Sequence, residues 1–185
     1  FSMYIYKRLL KTDIDSKHII KNMLHMVEIN KKHIDLIYDI FKFPNIYYKD
    51  YLSWNTNKQF DIIIGNPPFN SNGFIKTPTS KRDKHKDGKT IWREFIKKSI
   101  TLLKDKGYLC FIVPSIWMKP DKEGIYKLLT QYKIYKIESF SNTETNKLFK
   151  GQAQTPTCIF LLQKVPSDNT VDLWDKSFNK WHNFN

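Results

Sequence analysis

Two kinds of apolar pattern alternate along the chain, and each predicts a different element. MYIYKRLLK and SKHIIKN carry helical spacing, and LHMVEI follows as a short apolar run that ends in an acid. INKKHIDLIYDIF repeats apolar residues at Ile29, Ile34, Ile37 and Ile40/Phe41, a helical stripe that Pro44 stops. NIYY predicts a short strand. FDIIIG (60–65) is a continuous β-branched run of the kind buried on both faces of a parallel sheet. TIWREFIKKSITLLKDKG predicts one helix, with Thr90 capping its start and Gly107 just beyond its end. YLCFIVP is a second buried strand, and Asp121 is placed to cap a helix through LLTQY. YKIYKIESF alternates as a strand, and TPTCIFLLQK is the last strand. Residues 70–89 and 141–154 predict polar loops, and the tail 165–185 carries no assignable pattern. Strands alternating with helices imply an α/β domain over residues 1–164 with a mostly parallel sheet.

Charge adds a candidate partner to this picture. The 185 residues hold 31 Lys+Arg against 18 Asp+Glu, a formal net charge of +13, which attracts polyanions such as nucleic acid. A lysine-rich composition without a polyanionic partner is the plainer alternative. Cys110 and Cys158 both sit in apolar runs and read as small buried hydrophobes in a reducing, cytoplasmic compartment. The five histidines show no ligand spacing, so no metal site is predicted. No apolar run approaches the ~20 residues of a membrane span, and FSMYIYKRLLKTD turns charged too early for a signal peptide.

Ligands of open α/β sheets bind beyond the carboxyl ends of the strands, so those ends are where chemistry is sought. Glu28 closes LHMVEI, where an acid can take both hydroxyls of a ribose; a surface Glu capping the next helix is an equal alternative. Asp50 follows NIYY and could accept from an adenine's exocyclic amine, although a turn aspartate is the more ordinary reading. FDIIIG runs into Asn66-Pro67-Pro68-Phe69. The two prolines freeze two φ angles, and Pro67 holds Asn66 out of the helical region. The corner thereby offers an amide oxygen, the Pro67 carbonyl and a flat apolar ring. Two rigid acceptors and a stacking ring suit an aromatic amine such as N6 of adenine. Accepting both of its hydrogens frees the nitrogen lone pair and stabilises the positive charge that develops on attack. A proline-rich turn is the alternative for a bare Pro-Pro pair.

The corner in its setting resembles the catalytic motif of S-adenosylmethionine-dependent amino-methyltransferases, chiefly the DNA N6-adenine enzymes. KHIIKNMLHMVEINKKHIDL is similar to that family's second-strand segment, and KDYL to its third-strand motif. TIWREFIKKSITLLKDKGYLCFIVPSIW is similar to the helix and strand after the catalytic motif, and LFKGQAQTPTCIFLLQK to the late motif before the final strand. The likeness covers residues 1–164. It implies a Rossmann-like class I methyltransferase fold, mostly parallel with an antiparallel last strand. It also implies S-adenosylmethionine as cofactor and DNA as partner, in a setting such as restriction-modification. By this resemblance Asn66, Pro67, Pro68 and Phe69 are catalytic, holding a flipped adenine. Glu28 would bind the cofactor ribose and Asp50 its adenine, with Ile29 and Tyr51 beside them, and Phe149 would help hold the target base.

The family's glycine-rich cofactor loop and first strand precede the helix at which this chain begins. The expectation is therefore a fold lacking its first strand and binding cofactor weakly unaided. Between the corner and the next helix lies GFIKTPTSKRDKHKDGK, where Lys81, Arg82 and Lys84, among six basic residues, are placed to meet phosphates. A solvated loop is the alternative. Related chemistry on a protein glutamine or an rRNA guanine, and an inactive nucleic-acid-binding fragment, are the rival functions.

Overall fold

In the computed structural model, residues 1–42, 44–71, 89–120, 122–153 and 155–184 are described. They divide into two units, Phe1–Asn57 and Lys58–Asn185. In the first, helix α1 (Ser2–Leu9) precedes α2 (Ser16–His18), which runs on as a π-helical turn, Ile19–Met23. Asp15 caps α2, its Oδ2 accepting from the His18 N–H at 2.9 Å. Strand β1 (His25–Glu28), helix α3 (Lys31–Ile40) and strand β2 (Asn45–Tyr48) complete the frame. The two strands pair in parallel from His25↔Asn45 to Glu28↔Tyr48. Ile19, Leu24, Ile34, Phe41 and Trp54 are buried. The predicted stripe on α3 is narrower than expected, because Ile34 and Phe41 turn inward while Ile29 and Ile40 stay exposed. His25 stacks on Tyr47 across the strand pair, ring centroids 6.2 Å apart, and Tyr47 packs against Trp54 at 4.8 Å.

The second unit is built on a six-stranded sheet. Its elements are β3 (Phe60–Gly65), α4 (Trp92–Leu102), β4 (Leu103–Pro114), α5 (Ile125–Thr130), β5 (Tyr132–Phe140), α6 (Asn142–Leu148), β6 (Thr157–Pro166), β7 (Val171–Asp175) and β8 (Lys180–Phe184). In space the order is β3-β4-β6-β5-β7-β8. Strands β3 and β4 are parallel, β6 is antiparallel to both β4 and β5, β7 is parallel to β5, and β8 returns antiparallel. Four strands thus share one direction, and β6 and β8 oppose them. The antiparallel strand expected from TPTCIFLLQK lies inside the sheet, and it is followed by two more. The tail without a legible pattern forms the β7–β8 hairpin, whose Trp174 and Trp181 pack at 5.2 Å.

Alternation with a period of two sends Leu109, Phe111 and Val113 of β4 and Cys158, Phe160 and Leu162 of β6 to one face. Trp92, Ile96 and Ile100 of α4 and Ile125 and Leu129 of α5 cover them. Trp117 packs edge-on to Phe160 at 5.6 Å and donates its indole N–H to Cys158 Sγ at 3.1 Å. Burial pushes the Cys158 thiol up to about 11, only partly offset by that bond.

Four sequence expectations are corrected here. FDIIIG is not buried on both faces: among the described residues β3 pairs only with β4, Ile63 packs on the core, and Ile62 is 60% exposed. The helix from Trp92 ends at Leu102, and Ile91 rather than Thr90 stands at its N-cap, without a side-chain bond. Gly107 lies within β4 at a register shift: a Cβ there would sit 2.9 Å from Lys104 O and 3.0 Å from Asp61 O. The glycine admits a close backbone approach and ends no helix. Residues 142–148 are helical where a loop was expected. Ser141 and Glu144 form a capping box, a Ser-x-x-Glu signal present in the sequence. The proposed cap Asp121 lies outside the described residues, and α5 starts from Gly124 at φ 73°.

Candidate active site

At the carboxyl end of β3 the chain enters the corner through Gly65, where a Cβ would meet the Phe111 ring at 3.0 Å. The strand end therefore lies flush against β4, and Asn66 begins where the pairing stops. Asn66 and Pro68 are exposed, Pro67 is buried and Phe69 is half-buried against the core. The far side of the corner is pinned by main chain: the Ile91 N–H donates to Phe69 O at 3.2 Å and the Ser71 N–H to Lys89 O at 2.9 Å. Among the described residues, no donor meets the Asn66 side-chain oxygen or the Pro67 carbonyl. The proline rings fix the main chain at this corner, and neither acceptor is taken by a described residue, which leaves both for an incoming amine.

Phe149, eighty residues further along, reaches this corner. Its ring lies 6.2 Å from that of Phe69 at 71°, so a planar base against one ring face would meet the edge of the other. Helix α6 makes this meeting possible. The Ser141–Glu144 box sets its start, and the buried Thr145 and Thr157 hydroxyls bond at 3.0 Å, fixing the helix to β6. Its end closes as the Phe149 N–H donates to Thr145 O at 2.9 Å and the Gly151 N–H to Asn146 O at 2.8 Å, with Gly151 at φ 85°. The Ser115 N–H beyond β4 donates to Pro156 O at 2.9 Å, tying the entry of β6 to that strand end. Sequence reasoning missed the helix that carries Phe149.

The predicted cofactor residues belong to the first unit. Glu28 ends β1, and its Oε1 accepts from the Ile29 and Asn30 N–H groups, both at 2.8 Å. His33 Nδ1 lies 3.1 Å from Oε2. The carboxylate is therefore oriented by the turn ahead of α3, whose cap is Asn30, accepting from the Lys32 N–H at 3.0 Å. The Lys49 N–H donates to Glu28 O at 3.1 Å, which brings Asp50 beside Glu28 at the same sheet end. Asp50 Oδ1 accepts from the Leu52 N–H at 3.1 Å in an Asx turn, the ordinary reading, while no donor among the described residues meets its Oδ2. Ile29 is exposed beside Glu28, and Tyr51 is half-buried, 6.3 Å from Trp54. Two carboxylates with spare lone pairs and one exposed apolar side chain fit a nucleoside's hydroxyls, amine and face. Lys81, Arg82 and Lys84 lie outside the described residues.

Solved structures share this fold. The M protein of the type I restriction enzyme EcoKI superimposes with a TM-score of 0.64 at 16% identity, covering 94% of this chain and 40% of that one. A candidate class I S-adenosylmethionine-dependent methyltransferase from Listeria monocytogenes gives 0.57 at 22% identity, covering 91% and 52%. The fold is therefore Rossmann-like, of the class I methyltransferase type. Residues 1–149 match the model of the Eco57I restriction-modification methylases, and the chain belongs to that family. The type II restriction enzyme and methyltransferase RM.Eco57I of Escherichia coli is 35% identical over 136 residues, which are 68% of this chain and 13% of that protein. The chain thus spans about an eighth of that relative's length.

Proposed function

We propose that this chain carries the amine-holding part of a methyltransferase that modifies N6 of adenine in DNA, with S-adenosylmethionine as cofactor. The observation that supports it best is the corner itself: two unengaged acceptors, Asn66 Oδ1 and Pro67 O, beside the Phe69–Phe149 ring pair. Asn66 and Pro67 accept the two hydrogens of the adenine amine and turn its lone pair outward. Phe69 and Phe149 grip the ring of a base that has left the duplex stack. Glu28 takes the cofactor's ribose hydroxyls and Asp50 its adenine amine, with Ile29 on the adenine face. When bound, S-adenosylmethionine supplies an electrophilic methyl group. As the nitrogen becomes positive, the same two acceptors stabilise it, and its surplus proton passes to water without a dedicated base.

A protein containing this chain, incubated with labelled S-adenosylmethionine and either DNA, ribosomal RNA or a glutamine-bearing protein, tests the reading. Label in DNA that disappears with Asn66→Ala is expected. Label confined to RNA or protein contradicts it.

A further inference from the structure

The β7–β8 hairpin is the part of the molecule that the proposed chemistry leaves without a task. Its position is informative. Strands β3, β4, β5 and β7 share one direction, so the turn Lys176–Asn179 lies at the same end of the sheet as the Asn66 corner. Helix α6, which leaves β5 and returns to β6, stands between them. The hairpin is fastened to that helix: Lys176 Nζ donates to Glu144 Oε1 at 2.6 Å and lies 4.5 Å over the Phe140 ring. The Asp175 carboxylate organises the turn, accepting from the Ser177 and Phe178 N–H groups at 2.8 and 3.3 Å.

Three lysines on these elements are exposed. Lys147 and Lys150 sit at the carboxyl end of α6, and Lys180 opens β8 beside Phe178, which is 69% exposed. Lys180 Nζ lies 5.6 Å over the Phe178 ring. None of the three is within 4.0 Å of a carboxylate among the described residues. The neighbouring acids are engaged: Glu144 with Lys176, Asp175 with the turn and His182, and Asp172 with Asn183. Four strand spacings of ~4.8 Å separate β3 from β7 in the sheet order, about 19 Å in all. At ~3.4 Å per base-pair step, that is about five or six steps of duplex.

We propose that Lys147, Lys150 and Lys180 form a phosphate-binding row that follows the duplex away from the target base, with the β7–β8 turn as its outer end. The row rests on the reading of DNA as substrate and adds which flank of the site is held, and how far out. It binds backbone rather than base edges, so it acts on every sequence alike.

Duplex binding by a protein containing this chain tests it, with salt titrations of wild type and of the triple variant Lys147→Gln, Lys150→Gln, Lys180→Gln. At about 0.9 per phosphate, the slope of log K against log salt falls by about 2.7 in the triple variant. A fourfold rise in salt then weakens wild type roughly 40-fold more than the variant. Lys180→Gln alone lowers the slope by about one, a variant at an exposed position that leaves the core intact. Trimming the duplex to three base pairs on one side of the target weakens wild type and not the triple variant; trimming the other side treats both alike. An unchanged slope, or equal sensitivity of both proteins to trimming on each side, overturns the row. Methyl transfer to DNA by wild type is measured in parallel: its absence contradicts the substrate reading, whereas its presence with an unchanged slope contradicts the row alone.

Discussion

Two strand ends carry the candidate site groups of this chain, and they are prepared in opposite ways. At the end of β1 and β2, Glu28 and Asp50 already accept backbone N–H groups, from Ile29 and Asn30 in one case and Leu52 in the other. Their carboxylates are aimed by hydrogen bonds and keep spare lone pairs. At the end of β3, Asn66 Oδ1 and Pro67 O accept from no described residue, and the proline rings fix the main chain that carries them. A site that recognises a ligand tolerates acceptors shared with the backbone. A site that must strengthen its grip as charge develops does better with acceptors wholly free for the reacting atom. On the proposed function, the first end would bind and the second would do the chemistry.

Substitutions at the two ends should therefore separate in kinetics. Asn66→Ala is expected to lower kcat by about 10²–10³ with cofactor affinity unchanged, measured by single-turnover transfer beside equilibrium binding. Glu28→Gln is expected to weaken cofactor binding about 10- to 100-fold, the value of a charge-assisted hydrogen bond, with kcat at saturation preserved. If both variants altered the same parameter, the division between the ends would fail. Phe149→Ala removes one wall of the ring pair and should cost about 1–2 kcal/mol in binding of a flipped base, roughly five- to thirtyfold in KM for DNA.

A smaller effect tests the support of Phe149. The Lys176 ammonium, followed by the Ser141 N–H and hydroxyl, holds Glu144 at about 2, below its ordinary 4.5. A depressed carboxylate contributes stability in full above pH 4.5 and loses it as pH falls towards 2. Lys176→Ala removes the leading cause, so its acid unfolding should begin at higher pH than in wild type, followed by circular dichroism. The smallest effect is expected at the exposed Pro68, where Pro68→Ala should cost about 0.4–1 kcal/mol of stability by freeing the unfolded chain.

Much of this was legible in the residues, for identifiable reasons. NIYY, YKIYKIESF and TPTCIFLLQK became strands because crowded or alternating apolar residues leave few other ways to be buried. The NPPF corner was legible because two prolines dictate their own backbone. The misreadings have physical causes too. FDIIIG has the composition of a central strand, but partners decide burial, and β3 has one described neighbour. LLKDKG looks helical until Gly107 is seen to admit the carbonyls of Lys104 and Asp61. SNTETNKLF hid its helix among polar residues, since α6 is fixed by a capping box and a Thr145–Thr157 bond rather than by an apolar stripe. The β7–β8 hairpin was illegible because its pairing partner, β5, lies more than thirty residues away.

The central claim is that the corner holds an exocyclic amine. Its most direct test is the identity of the methylated nucleoside in DNA treated with a protein containing this chain, digested and resolved by mass spectrometry. The account predicts N6-methyladenine with wild type and its loss with Asn66→Ala. A methyl group on a ring carbon, or N6-methyladenine undiminished in Asn66→Ala, would contradict it.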